Sequence, residues 1–142
     1  AYFTPAEGRS PEQQQAVRHS DEAIAQVTDA DVIVIGVPFY NFTIASSLKA
    51  WLDHLTRAGL TFRYTPTGPE GLIKGKKVYL AVASGGIYSE GPQQANDFAV
   101  PYLRWMLGFL GLTDVTVARA EGVKLPEFQP TALQKGIDSV AV

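Results

Sequence analysis

Cysteine is absent from this sequence of 142 residues, and histidine and methionine are scarce, with two copies and one copy. Without cysteine the chain can form no disulfide, no thiolate nucleophile and no thiolate metal site. The two histidines, His19 and His54, are far apart in the sequence, and neither has an acidic or nucleophilic partner at a recognisable spacing. We therefore predict no metal site and no catalytic side chain that acts as a nucleophile, acid or base.

The sequence also lacks a large excess of charge of either sign, because 12 basic and 14 acidic residues leave a net charge of -2. That charge creates no field that would attract nucleic acid or an anionic membrane. No apolar run approaches the length of a membrane span, and residues 1–8 lack the basic start and apolar stretch of a secretory signal. The sequence predicts no nucleic-acid or membrane partner, and a cytoplasmic location is the expectation.

Apolar runs and helical patterns alternate along the chain. The runs predict three buried strands at 31–37, 78–83 and 115–120. The helical patterns cover the segments 11–28, 44–58, 93–110 and 131–140. This order predicts an α/β fold whose parallel sheet is covered by helices on both faces. The segment 59–75, rich in Gly, Pro and Thr, is predicted to be a long functional loop.

Three strands make a small sheet. In a doubly wound fold of strand order 2-1-3-4-5, the run 31–37 would be the third strand and would pair with a central strand that the sequence does not contain. We expect residues 1–142 to be a single domain that lacks an amino-terminal strand-helix-strand unit, with an exposed, adhesive edge at 31–37. A natural minimal domain of three strands is the alternative.

Two loops follow directly after neighbouring strands. Because ligands of open α/β sheets bind beyond the carboxyl ends of the strands, these loops predict a site for a planar ligand. Glycines in the second loop would permit a close approach to that ligand. The predicted binding residues are Pro38, Phe39, Tyr40, Asn41, Phe42, Ala83, Ser84, Gly85, Gly86 and Tyr88. Alternatively, the aromatic residues cap the core and the glycines serve a turn that needs positive φ.

Three further aromatic residues, Phe62, Tyr64 and Phe109, could form the wall of a substrate pocket. Packing in the core is the alternative for each of them. The helix that contains Phe109 is apolar nearly all round, which predicts burial on more than one side. Either a dimer interface or a deep position in a larger core would produce that pattern.

Several blocks in a fixed order resemble the FMN-dependent NADH-azoreductase family, which belongs to the flavodoxin-like NAD(P)H:quinone oxidoreductases. The resemblance covers nearly the whole chain. The matching blocks are Ser20-Asp21, residues 38–42, residues 48–53, residues 57–59 with 61–64, residues 68–72, residues 85–87, and residues 101–103 with 108–111.

The resemblance implies a flavodoxin-like three-layer sandwich and a homodimer with FMN at the subunit interface. It also implies that NADH or NADPH reduces quinones and azo compounds by a two-electron, ping-pong cycle. In such a dimer, Tyr64 and Phe109 would shape the pocket of the other subunit. A flavodoxin-type electron carrier without its own substrate is the alternative, although such carriers usually need a strongly acidic docking face.

Two departures from the resembled family are visible. The phosphate-binding loop that follows the family's first strand is not in this sequence, and Ser84 stands where many members carry Arg. A phosphate bound at a helix amino terminus contributes much of the affinity for a nucleotide. We therefore expect a chain that begins at Ala1 to bind FMN weakly.

Overall fold

The computed structural model describes residues 1–140, which form four α-helices and five β-strands. The helices are α1 (Pro11–Asp29), α2 (Ser46–Leu55), α3 (Val100–Leu110) and α4 (Gln129–Asp138). The strands are β1 (Val32–Pro38), β2 (Phe62–Thr65), β3 (Gly68–Gly71), β4 (Lys77–Ala83) and β5 (Asp114–Ala120). Two short 3-10 helices cover Ala6–Gly8 and Gly91–Asn96.

Three of the strands form a parallel sheet in the order β1-β4-β5, which confirms the predicted strands and their direction. Pro38 lies opposite Ala83, and Ala83 lies opposite Ala120. The carboxyl ends of the three strands are therefore level with one another. The loops that follow them emerge side by side at one edge of the sheet, which is where a ligand is expected in such a fold.

The main core lies between one face of the sheet and the helices α1, α2 and α3. Alternate residues of β1 and β4 point into it, as the period of a strand requires. Its fully buried members include Leu52, Leu55, Leu80, Leu103 and Leu107. The helix α4 packs on β5 outside this core, with Gly136 against the Arg119 backbone. Helices, sheet and helix make the predicted three-layer sandwich.

The strand β1 is exposed both on its outer face and along one edge. Its residues Val32 and Val34 are 52% and 70% exposed, although both are strongly apolar. Within residues 1–140, β4 is the only strand that pairs with β1. The edge predicted at 31–37 is therefore exposed in this structure.

The helix α1 begins with a capping box, as its sequence indicates. The Ser10 side chain accepts a hydrogen bond from the Gln13 N–H, and the Gln13 side chain accepts one from the Ser10 N–H. In the described part of the chain no helix has both the length and the apolar character needed to cross a bilayer.

Two predictions about local structure are wrong. The helix predicted from residue 93 begins only at Val100, because the Asp97 carboxylate accepts hydrogen bonds from the Ala99 and Val100 N–H groups and so caps the helix there. The segment 59–75 is not a plain loop, since β2 and β3 pair within it as an antiparallel hairpin. Polar residues, Gly and Pro hid this hairpin from a search for apolar runs.

Candidate functional site

A cavity of about 420 Å³ opens where β1 and β4 end. We call it the strand-end cavity, and it is lined by Phe39, Asn41, Phe42, Gly85, Gly86, Tyr88, Lys124 and Leu125. Six of these eight residues are among the ten predicted to bind a planar ligand. The other four predicted residues do not line it, and they are Pro38, Tyr40, Ala83 and Ser84. The volume is within the range typical of sites for small ligands.

The loop after β1 is a tight turn with unusual backbone geometry. Tyr40 and Thr43 exchange two backbone hydrogen bonds of 2.9 Å across Asn41 and Phe42. Both central residues have positive φ, at 45° and 70°. This conformation strains Phe42 by about 1–2 kcal/mol, because its Cβ crowds the backbone. The Phe98 N–H donates a hydrogen bond to the Phe42 carbonyl and so holds the turn in place.

The loop after β4 brings two glycines against neighbouring side chains. A Cβ on Gly85 would lie 3.2 Å from Lys124 Cδ, and one on Gly86 would lie 3.2 Å from Tyr88 Cε2. Neither glycine has a φ in the left-handed region, so the alternative of a turn that needs positive φ is wrong. Ser84 is buried, and its hydroxyl donates to the Gly86 carbonyl at 2.8 Å. Ser84 therefore shapes the loop from inside.

Four of the residues that line the strand-end cavity have backbone N–H groups without a partner in the described protein. Within residues 1–140, the N–H groups of Asn41, Phe42, Gly85 and Gly86 donate no hydrogen bond to the protein. By contrast, the carbonyls of Gly85 and Gly86 accept hydrogen bonds from Lys124 and Gly122. Phe39 and Tyr88 add an apolar wall, with ring centroids 4.5 Å apart. The cavity can thus receive a flat molecule whose edge carries hydrogen-bond acceptors.

Tyr88 is held in position by Glu121, which the sequence analysis missed. One carboxylate oxygen of Glu121 accepts from the Tyr88 N–H at 2.7 Å and from the Ser89 N–H at 2.9 Å. Arg119 links this carboxylate, at 3.4 Å, to Asp97, whose oxygen is 2.6 Å from the guanidinium. These charges are largely buried, so the network fixes the loop of Tyr88 to the end of β5 and the start of α3.

The remaining predicted residues lie elsewhere. Phe62 packs against Phe109 and Tyr64, with ring centroids 4.7 and 5.5 Å apart, and Trp105 stacks on Phe109 at 5.7 Å. We call these four residues the aromatic cluster. Phe62 and Tyr64 follow the end of α2, and Trp105 and Phe109 lie in the second half of α3. Both helices end near the amino ends of the strands. Within one chain they do not line the strand-end cavity, and the expectation that Phe62, Tyr64 and Phe109 form the wall of a substrate pocket stays a prediction.

A second cavity, of about 860 Å³, adjoins this cluster and includes Phe62 and Tyr64 in its lining. Arg57, 6% exposed, lies in its wall and forms an ion pair with Asp21. The Tyr2 ring covers the guanidinium, with Cζ 5.1 Å from the ring centroid. Among the described residues no group of three or more carboxylate or imidazole side chains is arranged to hold a metal ion.

The model of the family described as having a flavodoxin-like fold matches residues 1–141. The chain belongs to the flavodoxin-like family. Among its curated relatives, an FMN-dependent NADH:quinone oxidoreductase of Herminiimonas arsenicoxydans is 61% identical over 125 residues, which are 88% of this chain and 61% of that protein. A second, from Burkholderia lata, is 53% identical over 99% of this chain and 70% of its own length. The chain thus spans 61–70% of these two relatives.

Solved structures of the flavodoxin-like family agree with this assignment. An azoreductase from Bacillus anthracis superposes with a TM-score of 0.79 at 40% identity, over 92% of this chain and 62% of that one. An FMN-dependent NADH-azoreductase from the same species, solved in complex with FMN, gives a TM-score of 0.82 at 32% identity, with the same coverage. The predicted resemblance to the azoreductases is therefore confirmed.

Lys124, Leu125 and Glu121 are the residues at this site of the flavodoxin-like chain that sequence reasoning missed. All three follow β5, whose carboxyl end is level with that of β4. The rule that identified the first two loops applies equally to this third one. The missing signal was therefore available from the strand order, but no aromatic or glycine motif drew attention to it.

Proposed function

We propose that this protein is an FMN-dependent oxidoreductase that passes two electrons from NADH or NADPH to quinones and azo compounds. The observation that carries the proposal is the strand-end cavity at the ends of two parallel strands, whose lining combines an apolar wall with four residues that have unpaired backbone N–H groups in the described chain. Its relatives, among them an FMN-dependent NADH:quinone oxidoreductase and an azoreductase, support the same activity. Such a reaction needs reduced nicotinamide, and we propose that it takes place in the cytoplasm.

The residues of the cavity fit the ring of FMN. Its pyrimidine edge carries carbonyl and ring nitrogen acceptors, which the N–H groups of Asn41, Phe42, Gly85 and Gly86 can satisfy. Phe39 offers a flat apolar surface in the lining, which would keep water from a bound ring. When bound, FMN supplies the two-electron chemistry by accepting and then donating a hydride. The protein needs no acid or base for that step, which is consistent with the absence of titratable side chains other than Tyr88 and Lys124 from the lining.

We further propose a homodimer in which the donor and the acceptor bind in turn at the same composite pocket. The aromatic cluster lies near the amino ends of the strands, whereas the strand-end cavity lies at their carboxyl ends. Tyr64 and Trp105 are 76% and 67% exposed, which is unusual for large aromatic groups without a covering partner. A second copy of the chain can bring its cluster against the cavity, so that Tyr64 and Phe109 complete the acceptor pocket.

The first experiment measures FMN binding and turnover in two glycine variants. Gly86→Val adds side-chain atoms where a Cβ already meets the Tyr88 ring, so we expect the affinity for FMN to fall by about tenfold or more. Gly36→Ala is the control, because a Cβ there meets no atom within 4 Å. Both proteins are titrated with FMN by absorbance and then assayed with NADH and a benzoquinone. Equal FMN affinity in the two variants would contradict this site.

The same assay separates the proposed function from its alternative. A reductase transfers electrons from NADH to the quinone with no second protein present. A protein that binds FMN but is not reduced by NADH would instead be an electron carrier of the flavodoxin type. A protein that binds no FMN at any accessible concentration would contradict both.

The second experiment tests the dimer by complementation. Gly86→Val damages the cavity, and Phe109→Ala damages the aromatic cluster, so each homodimer contains one defect in every composite pocket. In a mixed dimer, one pocket combines the two intact halves. Coexpression should therefore restore about a quarter of the wild-type pockets. No restoration, in a mixture shown to contain mixed dimers, would mean that the cluster does not serve the partner's cavity.

A further inference from the structure

Lys124 lies at the rim of the strand-end cavity in a defined position. Its backbone N–H donates to the Gly85 carbonyl at 3.1 Å, which ties the loop after β5 to the loop after β4. Its side-chain carbons Cβ, Cγ and Cδ pass 3.2–3.5 Å from the point where a Cβ on Gly85 would stand. Any larger residue at that position would displace this stem. The glycine thus leaves room for the lysine stem beside the loop, and Lys124 is an exposed residue in the lining of the cavity.

The charge of Lys124 is available to a ligand. It is the only charged residue among the eight that line the cavity. In the described chain, no carboxylate lies within 4 Å of its ammonium group. Glu121, an acidic residue of the same loop, is already engaged with Arg119 and with Ser89. Ser84, buried in the neighbouring loop, adds no charge. The strand-end cavity is therefore lined by apolar and amide groups and by one lysine, Lys124, that forms no ion pair in the described chain.

We propose that Lys124 makes this protein prefer flat acceptors that carry a carboxylate or sulfonate group over neutral acceptors of the same skeleton. This inference rests on the proposed function, since it names the substrate class of the same cavity. The ring system of the acceptor lies over the mouth of the cavity that the flavin ring fills, in the composite pocket proposed above, and its anionic substituent pairs with the ammonium group. Ion pairs at exposed positions are modest, so the expected preference due to Lys124 is about fivefold in kcat/KM.

The test compares 1,4-naphthoquinone with its sulfonated derivative in three variants. Lys124→Met keeps most of the stem and removes the charge, and Lys124→Glu reverses the charge. Lys77→Met is the matched control, because it removes an exposed lysine at the opposite edge of the sheet, at the start of β4. The quantity measured is the ratio of kcat/KM for the sulfonated acceptor to kcat/KM for the neutral acceptor. Intrinsic differences between the two quinones cancel when this ratio is compared between variants.

We expect the ratio to fall about fivefold in Lys124→Met, to fall further in Lys124→Glu, and to stay unchanged in Lys77→Met. Raising the salt concentration should lower the wild-type ratio but not that of Lys124→Met. An unchanged ratio in Lys124→Met would overturn the proposal. A weaker affinity for FMN, or a higher KM for NADH, with an unchanged ratio would also overturn it, because the charge would then serve the phosphates of those molecules.

A binding measurement keeps this test independent of turnover. Equilibrium dialysis of the protein with anthraquinone-2-sulfonate and with neutral anthraquinone measures the preference without any electron transfer. If the wild-type protein reduces no quinone but still prefers the sulfonate through Lys124, the proposed reductase activity fails while the inference about the cavity stands. If neutral quinones are reduced and neither assay depends on Lys124, the inference fails alone.

Discussion

Gly71 has the least room for a Cβ among the described glycines, so we expect Gly71→Ala to destabilise the fold. It ends β3 and lies against the end of α3, where a Cβ would stand 2.1 Å from Gly111 N and 2.2 Å from the Leu110 carbonyl carbon. All of these contacts are backbone atoms, so no side chain can rotate away. Gly71→Ala must push the hairpin from the helix and so weaken the hydrogen bond that the Ile73 N–H donates to the Leu110 carbonyl at 3.0 Å.

Two terms set the size of this effect. Forcing an extra methyl group into a packed site costs about 1–3 kcal/mol. Losing a buried hydrogen bond adds about 1 kcal/mol. We therefore expect Gly71→Ala to lower the free energy of unfolding by about 3 kcal/mol. Because β2 carries Tyr64 and the hairpin would move, the proposed reductase activity should fall as well.

Urea denaturation followed by circular dichroism measures this change, and Gly108→Ala provides the control. Gly108 lies within α3, and a Cβ there meets no atom within 4 Å. That substitution should raise the stability by about 0.5–1 kcal/mol, since alanine favours a helix over glycine. The reasoning is refuted if the two variants have the same midpoint and slope.

Three further predictions concern other contacts. Arg119→Met leaves Asp97, whose side chain is 5% exposed, without its cation, so the stability should fall by about 3 kcal/mol or more, and a double-mutant cycle with Asp97→Asn should show strong coupling. Ser10→Ala removes the cap of α1 and should cost about 1 kcal/mol in the same urea assay, whereas a change below 0.2 kcal/mol would contradict the cap. The hydrogen bond from Arg63 lowers the pKa of the Glu70 carboxyl, so this contribution to hairpin stability is present above the unfolded pKa and is lost as pH falls through the lowered value. An NMR titration should show that Arg63→Gln returns the pKa of Glu70 towards its ordinary value.

Most of the sheet could be predicted because its strands are apolar on both faces. The run 31–37 is shifted by one residue from the observed strand, and the runs 78–83 and 115–120 each begin one residue late. The start of α3 could not be predicted from apolar spacing, because the side chain of Asp97 determines it. The hairpin of β2 and β3 was missed because its strands contain polar residues, Gly and Pro and form no apolar run.

The site was predicted in part. The rule for strand ends located Phe39, Asn41, Gly85 and Gly86 at one cavity, because parallel strands with level ends bring their loops together. The direction of an individual side chain does not follow from that rule, and so Ser84 was expected at the ligand although it points into the loop. Nor could the sequence alone reveal that the aromatic cluster lies at the opposite edge of the sheet.

The central claim is that the strand-end cavity holds a flavin that NADH reduces and a quinone reoxidises. The most direct test is the visible absorption spectrum of the purified protein with FMN, recorded without oxygen before and after one equivalent of NADH, and again after a quinone. We predict that the protein-bound flavin bleaches with NADH and recovers its colour with the quinone, and that Gly86→Val loses most of the bound flavin. Flavin that remains free in solution, or bound flavin that NADH does not bleach, would contradict the account.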